Sequence, residues 1–161
     1  KGDFIVKAGR RNINTFFVLK GLVRQYKLID GQEFTTNFFT QEQWILSLTS
    51  FTKDTIASDY LECIEDTVVV IGNEQKAQIL FKKYPRLETI SRAVMETVFS
   101  EQQKMMAFYL TDTPEQRYIR LLETKPDLLQ RIPQYHIATY IGVKPESLSR
   151  IRKRIASKSS T

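Results

Sequence analysis

The feature that most constrains the fold is a change of pattern at Asn73. Before it, the chain consists of short runs rich in β-branched and aromatic residues, which are separated by turn signals. After it, apolar residues recur at helical spacing over long stretches, the longest of which contains neither proline nor glycine. A block of strands followed by a block of helices predicts an α+β protein.

The strand block contains one strong hairpin signal. The runs "FFVLK" and "LVRQYKLI" flank Gly21, and the pair Asp30 and Gly31 joins the second run to "QEFTTNFF". The segment "YLECIEDTVVVI" predicts a last pair of strands with its turn at Glu65 and Asp66. Many short strands of this kind predict a sandwich, a barrel or a jelly roll.

Two helices follow the strands. Asn73 is a candidate N-cap for a helix that stops at Pro85, and a second helix is expected from about Arg86 to Leu110. Its apolar residues form one continuous stripe, which we interpret as a dimer seam. The alternative, that the stripe covers the β-domain of the same chain, stays open. The stripe consists of Leu87, Ile90, Val94, Val98, Met105 and Phe108.

The positive charge is confined to the end of the chain. Residues 1–113 carry 14 Lys+Arg and 14 Asp+Glu, whereas residues 114–161 carry 10 Lys+Arg and 4 Asp+Glu, which accounts for the whole net charge of +6. A neutral segment followed by a basic one is typical of a protein in which one part senses or assembles and the other faces a polyanion. The alternative is a solvated basic face.

The basic segment begins with helix signals and contains a helix-turn-helix pattern. Thr113 is the expected N-cap of a helix that starts at Pro114. Further on, a helix from about Pro133 to Ile141 is followed by Gly142, which can make a sharp turn, and Pro145 opens a second helix. The residues expected to be buried between the two helices are Ile137, Ala138, Ile141, Leu148, Ile151 and Ile155.

The polar side of the second helix suits a major groove. Arginine can donate two hydrogen bonds to guanine and glutamate can accept one from cytosine, so Arg150 and Glu146 are the candidate base readers, and Glu146 is also placed to pair with Arg150. Ser149 can bond a base or a phosphate. The candidate phosphate contacts, which give affinity but no sequence information, are Lys144, Ser147, Arg152, Lys153 and Arg154.

These residues resemble the Crp/Fnr superfamily of bacterial transcription regulators over nearly the whole chain. The segment around Gly21 and Asp30 is similar to the hairpin of that family, and "ESLSR" at residues 146–150 matches the Glu-x-x-Ser-Arg recognition pattern of the Fnr branch. The resemblance implies that Glu146, Ser149 and Arg150 read bases in a half-site resembling TTGA.

The resemblance also implies an architecture. It predicts an antiparallel β-roll (jelly roll) of the cyclic-nucleotide-binding type over residues 1–85, a dimerisation helix over 86–112 and a C-terminal winged helix-turn-helix over 113–161. The implied function is that of a homodimeric regulator of transcription whose roll senses an effector. The alternative is a ligand-binding or protein-interaction module whose helical tail mediates protein contacts without DNA.

The chain departs from this family at the effector pocket. Members that bind cyclic AMP hold its ribose with a Gly-Glu pair and its phosphate with an Arg-Ser pair. Here the corresponding pairs are Leu46 with Ser47 and Ala57 with Ser58, and the phosphate would meet Asp59 and no guanidinium. A buried phosphate next to a carboxylate is unfavourable. We therefore expect no cyclic AMP binding of the usual kind, and the effector is left unassigned.

No cofactor or metal is predicted. Cys63 is the single cysteine, which is too few for an iron–sulfur cluster, and we interpret it as a core residue. His136 is interpreted as a surface or phosphate-contacting residue. No enzyme motif is present in the sequence, so no catalysis is expected.

The partners and the location follow from the same reading. The expected partners are palindromic double-stranded DNA, a second copy of the chain and, as a further candidate, RNA polymerase. No membrane span or export signal is seen in the sequence, and a cytoplasmic location is expected. Because the chain opens at Lys1 almost inside a strand, we expect it to be truncated or partly ordered.

Overall fold

The computed structural model of the chain describes residues 1–46 and 56–158. The chain forms two compact units. The first consists of Lys1–Lys27 and Thr36–Lys104, and the second of Leu28–Thr35 and Met105–Thr161. The first unit contains strands and helices in similar amounts, and helices fill most of the second, so the chain is an α+β protein as predicted.

Seven strands form two antiparallel sheets in the described residues. A four-stranded sheet has the order β1-β6-β3-β4 and a three-stranded sheet has the order β5-β2-β7. The strands are β1 (Phe4–Val6), β2 (Asn14–Lys20), β3 (Val23–Ile29), β4 (Gln32–Phe39), β5 (Trp44–Ile45), β6 (Tyr60–Cys63) and β7 (Val68–Asn73).

The predicted hairpin at Asp30 and Gly31 is confirmed. The two residues have φ values of 50° and 76°, and β3 and β4 are neighbours in the four-stranded sheet. Positive φ at both central positions is the geometry of a type I′ turn, whose twist matches that of the strands it joins.

The predicted pairing of the last two strands is wrong. Both strands exist, but β6 pairs with β1 and β3, whereas β7 pairs with β2 in the other sheet. The segment between them, which was expected to turn at Glu65 and Asp66, therefore crosses from one sheet to the other. It packs against the crossing from β2 to β3 at Gly21, where the Ile64 N–H donates to the Leu22 carbonyl over 2.9 Å.

The core of the first unit lies between the two sheets. Alternate residues of each strand point to the same face, so Phe16 and Val18 of β2 are buried with Val23 of β3 and Leu61 of β6. The other buried members of this cluster are Val6, Phe39, Ile45 and Ala57. These residues come from both sheets, and we refer to the two sheets with their shared core as the roll.

The helices begin at or next to the predicted residues, apart from a short one at Pro126 that was not predicted. Helix α1 (Glu74–Lys83) is capped by Asn73, whose side chain accepts a hydrogen bond from the Lys76 N–H over 3.0 Å. Helix α2 (Arg86–Thr111) follows Pro85 and has 26 residues, which corresponds to about 39 Å of length. The remaining helices are α3 (Pro114–Thr124), α4 (Pro126–Arg131), α5 (Gln134–Ile141) and α6 (Pro145–Lys158).

The wing of the expected winged helix-turn-helix is not seen in the described residues. Between Pro114 and Lys158 the structure has four helices and no strand. This part of the chain therefore supports a helix-turn-helix without the strands that would form a wing.

Gly21 offers a direct test of the crossing between the sheets. It has a φ of +100°, and an added Cβ would lie 2.5 Å from the Thr67 Oγ1 and 2.6 Å from the Asp66 carbonyl oxygen. We expect Gly21→Ala to lower the free energy of unfolding by at least about 2 kcal/mol, because backbone strain and overlap add.

Gly31→Ala is the matched control. Gly31 has a φ of +76° with no atom within 4 Å of an added Cβ, so strain acts there without overlap and the loss should be about 1 kcal/mol. Urea denaturation measures both values. Equal losses for the two variants would show that the contact at Gly21 contributes nothing.

Candidate nucleic-acid interface

A glycine turn sets the geometry of α5 and α6. Gly142 ends α5 in the left-handed conformation, with φ of 79° and ψ of 35°, and the Val143 N–H donates to the Ala138 carbonyl over 2.9 Å. Pro145 then starts α6, where its fixed φ is already helical. The predicted glycine turn and the helix that starts at Pro145 are both present in this segment.

Small and branched apolar residues hold the two helices together. Ala138 and Ile141 of α5 have no exposed surface, and Leu148 of α6 is 1% exposed. Ile137 and Ile151 are also buried, as predicted. Ile155, which was expected to be buried, is only half-buried and lines a surface opening beside Tyr118 and Leu122 of α3.

The side of α6 that faces away from this contact is polar and open. Glu146, Ser149, Arg150 and Lys153 are all exposed and lie within about 100° of one another around the helix axis. They extend over about 10 Å along the helix. We call these four residues the outward face of α6.

Arg150 makes a different contact from the one expected. Its guanidinium donates to the Ser147 Oγ over 3.1 Å, in place of the predicted pair with Glu146. Ser147 lies three residues before Arg150 and therefore on the adjacent turn of the helix. The carboxylate of Glu146 remains exposed at the N-terminal end of the outward face.

An acidic residue that the sequence analysis missed holds the flank of α6. The Glu115 carboxylate accepts hydrogen bonds from Arg154 over 2.8 Å and from Lys158 over 3.0 Å. The bond from Lys158, together with that from Arg154, lowers the pKa of Glu115. Arg154 was predicted to contact phosphate, and in this structure its guanidinium forms an ion pair with Glu115.

The position of Glu115 follows from a capping box at the start of α3. The Thr113 Oγ1 accepts from the Gln116 N–H over 3.3 Å, while the Gln116 side chain accepts from the Thr113 N–H over 2.8 Å. This box, formed at the predicted N-cap Thr113, fixes the first turn of α3. The spacing of Glu115 from the basic run was visible in the sequence, but nothing in it showed that α3 packs beside α6.

The residues predicted for the dimer seam lie on α2, which is at least partly exposed to solvent along its whole length. No residue of α2 is buried, and Leu87 and Ile90 are 37% and 58% exposed. Val94 and Val98 are half-buried. Met105 is also half-buried and lines a small cavity of the second unit, beside residues of α3.

The predicted effector-pocket residues have unequal surroundings. Ala57 is buried in the core of the roll, Leu46 is half-buried, and Ser58 is exposed. Ser47 lies outside the described residues. Ser58 and its neighbour are held by a cation that the sequence analysis missed, Lys27 of β3.

Lys27 closes a small polar cluster at the end of β3. Its ammonium donates to the Ser58 Oγ over 3.1 Å and lies 3.1 Å from the Asp59 Oδ1. The Ser58 hydroxyl in turn donates to the Asp59 Oδ2 over 3.0 Å. The pairing of Tyr26 with Tyr60 places the ends of the two strands side by side. Sequence patterns did not reveal that register, so they gave no reason to connect Lys27 with Asp59.

Cys63 is a buried residue of the roll, and burial raises the pKa of its thiol. Across the described ranges, His, Cys, Asp and Glu side chains do not gather in the groups of three or more that could hold a metal ion. Among the same residues, no helix combines the length and the hydropathy needed to cross a membrane.

Comparison with solved structures identifies the fold. The chain is similar to FixK2 from Bradyrhizobium japonicum, with a TM-score of 0.77 and 18% identity over 99% of this chain and 82% of that one. It is also similar to the c-di-GMP responsive global regulator CLP of Xanthomonas campestris, with a TM-score of 0.76 and 15% identity over 98% of this chain and 84% of that one.

A third similar structure is a putative transcriptional regulator of the Crp/Fnr family from Eubacterium rectale. Its TM-score is 0.65, with 19% identity over 98% of this chain and 79% of that one. No family model and no curated protein sequence matches the chain. The chain therefore has the fold of the Crp/Fnr regulators.

Proposed function

We propose that this chain is a sequence-specific DNA-binding transcription regulator that acts as a homodimer. The observation that carries the proposal is the outward face of α6. Three of its residues, Glu146, Ser149 and Arg150, are exposed in the first half of a helix that directly follows a glycine turn. In helix-turn-helix proteins, that part of the second helix reaches base edges in the major groove.

The chemistry of this face supports readout of bases. The Arg150 guanidinium can donate two hydrogen bonds to guanine O6 and N7, and the Glu146 carboxylate can accept from cytosine N4. In the free protein Ser147 holds Arg150, so the guanidinium is already oriented on the helix surface. Ser149 offers a shorter group that can bond a base or a phosphate.

The basic residues around this face supply attraction to phosphates. Arg152 and Lys153 are exposed on α6, and Lys144 and Ser147 lie at its start. Arg154 adds a further charge while remaining paired with Glu115. Contacts of this kind fix the position of a protein on the duplex and make its affinity depend on salt.

Helix α2 supports a dimer. Its 26 residues have no buried member in the single chain, although its apolar stripe runs through Leu87, Ile90, Val94 and Val98. Packing this stripe against a second copy would remove the exposed apolar surface from water. In a dimer, two α6 helices about 34 Å apart would enter successive major grooves of one duplex.

We propose that the roll senses an effector and that it does not bind cyclic AMP in the usual way. Ala57 is packed in the core, and Ser58 and Asp59 are engaged with Lys27. A cyclic phosphate placed there would have to break the Lys27–Asp59 pair. The Asp59 carboxylate would then lie beside the negative charge of the phosphate.

Substitution of Arg150 tests base readout. We expect Arg150→Ala to lower the affinity for the preferred duplex by roughly 10- to 100-fold, since one bidentate contact to guanine is worth about 1–3 kcal/mol. Lys153→Ala is the control, because loss of a phosphate contact weakens all duplexes alike and reduces the salt slope by about one. Titration of labelled duplexes at several salt concentrations measures both. Unchanged binding of the Arg150 variant to every duplex would refute the proposal.

Substitution of Ile90 tests the dimer seam. We expect Ile90→Asp to convert the protein to a monomer and to abolish binding to palindromic sites, because a packed apolar stripe cannot bury an unpaired carboxylate. Thr89→Asp is the control, since Thr89 is exposed and lies on the opposite side of α2. Light scattering gives the mass of each variant. A dimer of Ile90→Asp as stable as that of the control would exclude this seam.

Titration with cyclic nucleotides tests the proposal for the roll. Calorimetric titration with cyclic AMP or cyclic GMP at micromolar concentration should give no saturable heat. Lys27→Ala is expected to leave this result unchanged, because removing a cation makes the site less suited to a phosphate. Saturable binding of either nucleotide would contradict the proposal for the roll.

A further inference from the structure

The C-terminal ends of two helices meet near the glycine turn. Helix α2 ends at Thr111 and helix α5 ends at Ile141. The last carbonyls of a helix lack intrahelical partners and carry partial negative charge. Bringing two such ends together is unfavourable unless donors lie between them.

Arg117 of α3 supplies these donors. Its Nη2 donates to the Tyr109 carbonyl near the end of α2 over 2.7 Å, and its Nη1 donates to the Ile141 carbonyl at the end of α5 over 3.1 Å. A Cβ added to Gly142 would lie 3.1 Å from the same Nη1. One half-buried guanidinium thus contacts both helix ends and lies beside the turn.

Tyr109 strengthens this connection from the other side. Its ring lies 4.3 Å below the Arg117 guanidinium, and its hydroxyl donates to the Tyr140 carbonyl of α5 over 2.7 Å. Burial raises the pKa of the Tyr109 hydroxyl, so it remains a donor at neutral pH. The last turn of α5 is therefore bound at two carbonyls, directly by Tyr109 of α2 and through Arg117 of α3.

A neighbouring arginine makes a different connection. Arg120, one turn further along α3, pairs with Asp112 over 2.8 Å and lies 3.6 Å from the centre of the Phe108 ring. These contacts join α3 to the end of α2. Arg117 extends the connection to α5, and through the glycine turn to α6.

We propose that Arg117 is a positioning residue for DNA recognition, which fixes the direction of the helix-turn-helix relative to the last turns of α2. The inference rests on the proposed function, in which α2 is the dimer helix. If so, the angle held by Arg117 sets the distance between the two α6 helices of a dimer. A planar fork can bond two carbonyls at once, which a single ammonium cannot do in the same geometry.

The test compares Arg117→Lys with the parent on duplexes whose two half-sites are separated by different numbers of base pairs. The parent should prefer one spacing. The lysine variant keeps the charge and should bind that spacing at least 10-fold more weakly, tolerate a wider range of spacings and bind a single half-site as the parent does. Arg92→Lys is the control, because Arg92 is exposed on the side of α2 away from the stripe.

A general loss of structure would give a different pattern. If Arg117→Lys only destabilised the second unit, its binding to the single half-site and to every spacing would fall by the same factor. That result, or a lysine variant with the spacing preference of the parent, would overturn the proposal. Tyr109→Phe provides a milder second variant, since it removes the bond to the Tyr140 carbonyl and keeps the ring below Arg117.

A measurement without DNA separates this proposal from the proposed function. Spin labels at Met106 and Arg152, both exposed, report the distance between the end of α2 and α6 in a Cys63→Ala background. Labelled protein is diluted with an excess of unlabelled protein so that only distances within one chain contribute.

The parent should give a narrow distance distribution, and Arg117→Lys should broaden or shift it. An unchanged distribution in the lysine variant would refute the role of Arg117 even if the parent binds DNA. A parent that binds no duplex would refute the proposed function and with it the role in DNA recognition, whereas the distances would show whether Arg117 holds α6 against the end of α2.

Discussion

The contact between α5 and α6 at Gly142 is the constraint on which the candidate interface depends. Ala138 and Ile141 have no exposed surface, and Leu148 of α6 packs almost fully buried in the same unit. The left-handed conformation at Gly142 lets the chain leave α5 and start α6 within three residues. With the apolar side of α6 fixed in this way, Glu146 and Arg150 face outwards.

Side chains at helix ends perform the same task elsewhere in the second unit. Thr113 and Gln116 cap α3, and this cap fixes the turn that carries Glu115 towards Arg154 and Lys158. Arg117 satisfies carbonyls at the ends of α2 and α5. Helix packing in this unit is thus directed by hydrogen bonds at helix ends as well as by apolar burial. Such bonds depend on the orientation of their donors, so they can fix an angle that apolar contacts leave free.

Local signals in the sequence predicted local structure well. Asn73, Thr113, Gly142 and the Asp30–Gly31 pair each act over three or four residues, and each produced the expected cap or turn. The failures concern long-range contacts. The pairing of β6 with β3 in one sheet and β7 with β2 in the other depends on strands far apart in the chain. The partners of Arg154, Arg117 and Lys27 were hidden for the same reason, since Glu115, Ile141 and Asp59 come close only after packing.

Selection of bound duplexes from a random pool tests the central claim most directly. The account predicts enrichment of a palindrome with half-sites resembling TTGA, whose centres are about one helical turn apart. It also predicts that a pool selected with Arg150→Ala loses the preference for guanine at one position of each half-site. Recovery of a pool with no common sequence, at a salt concentration where the protein remains folded, would contradict it.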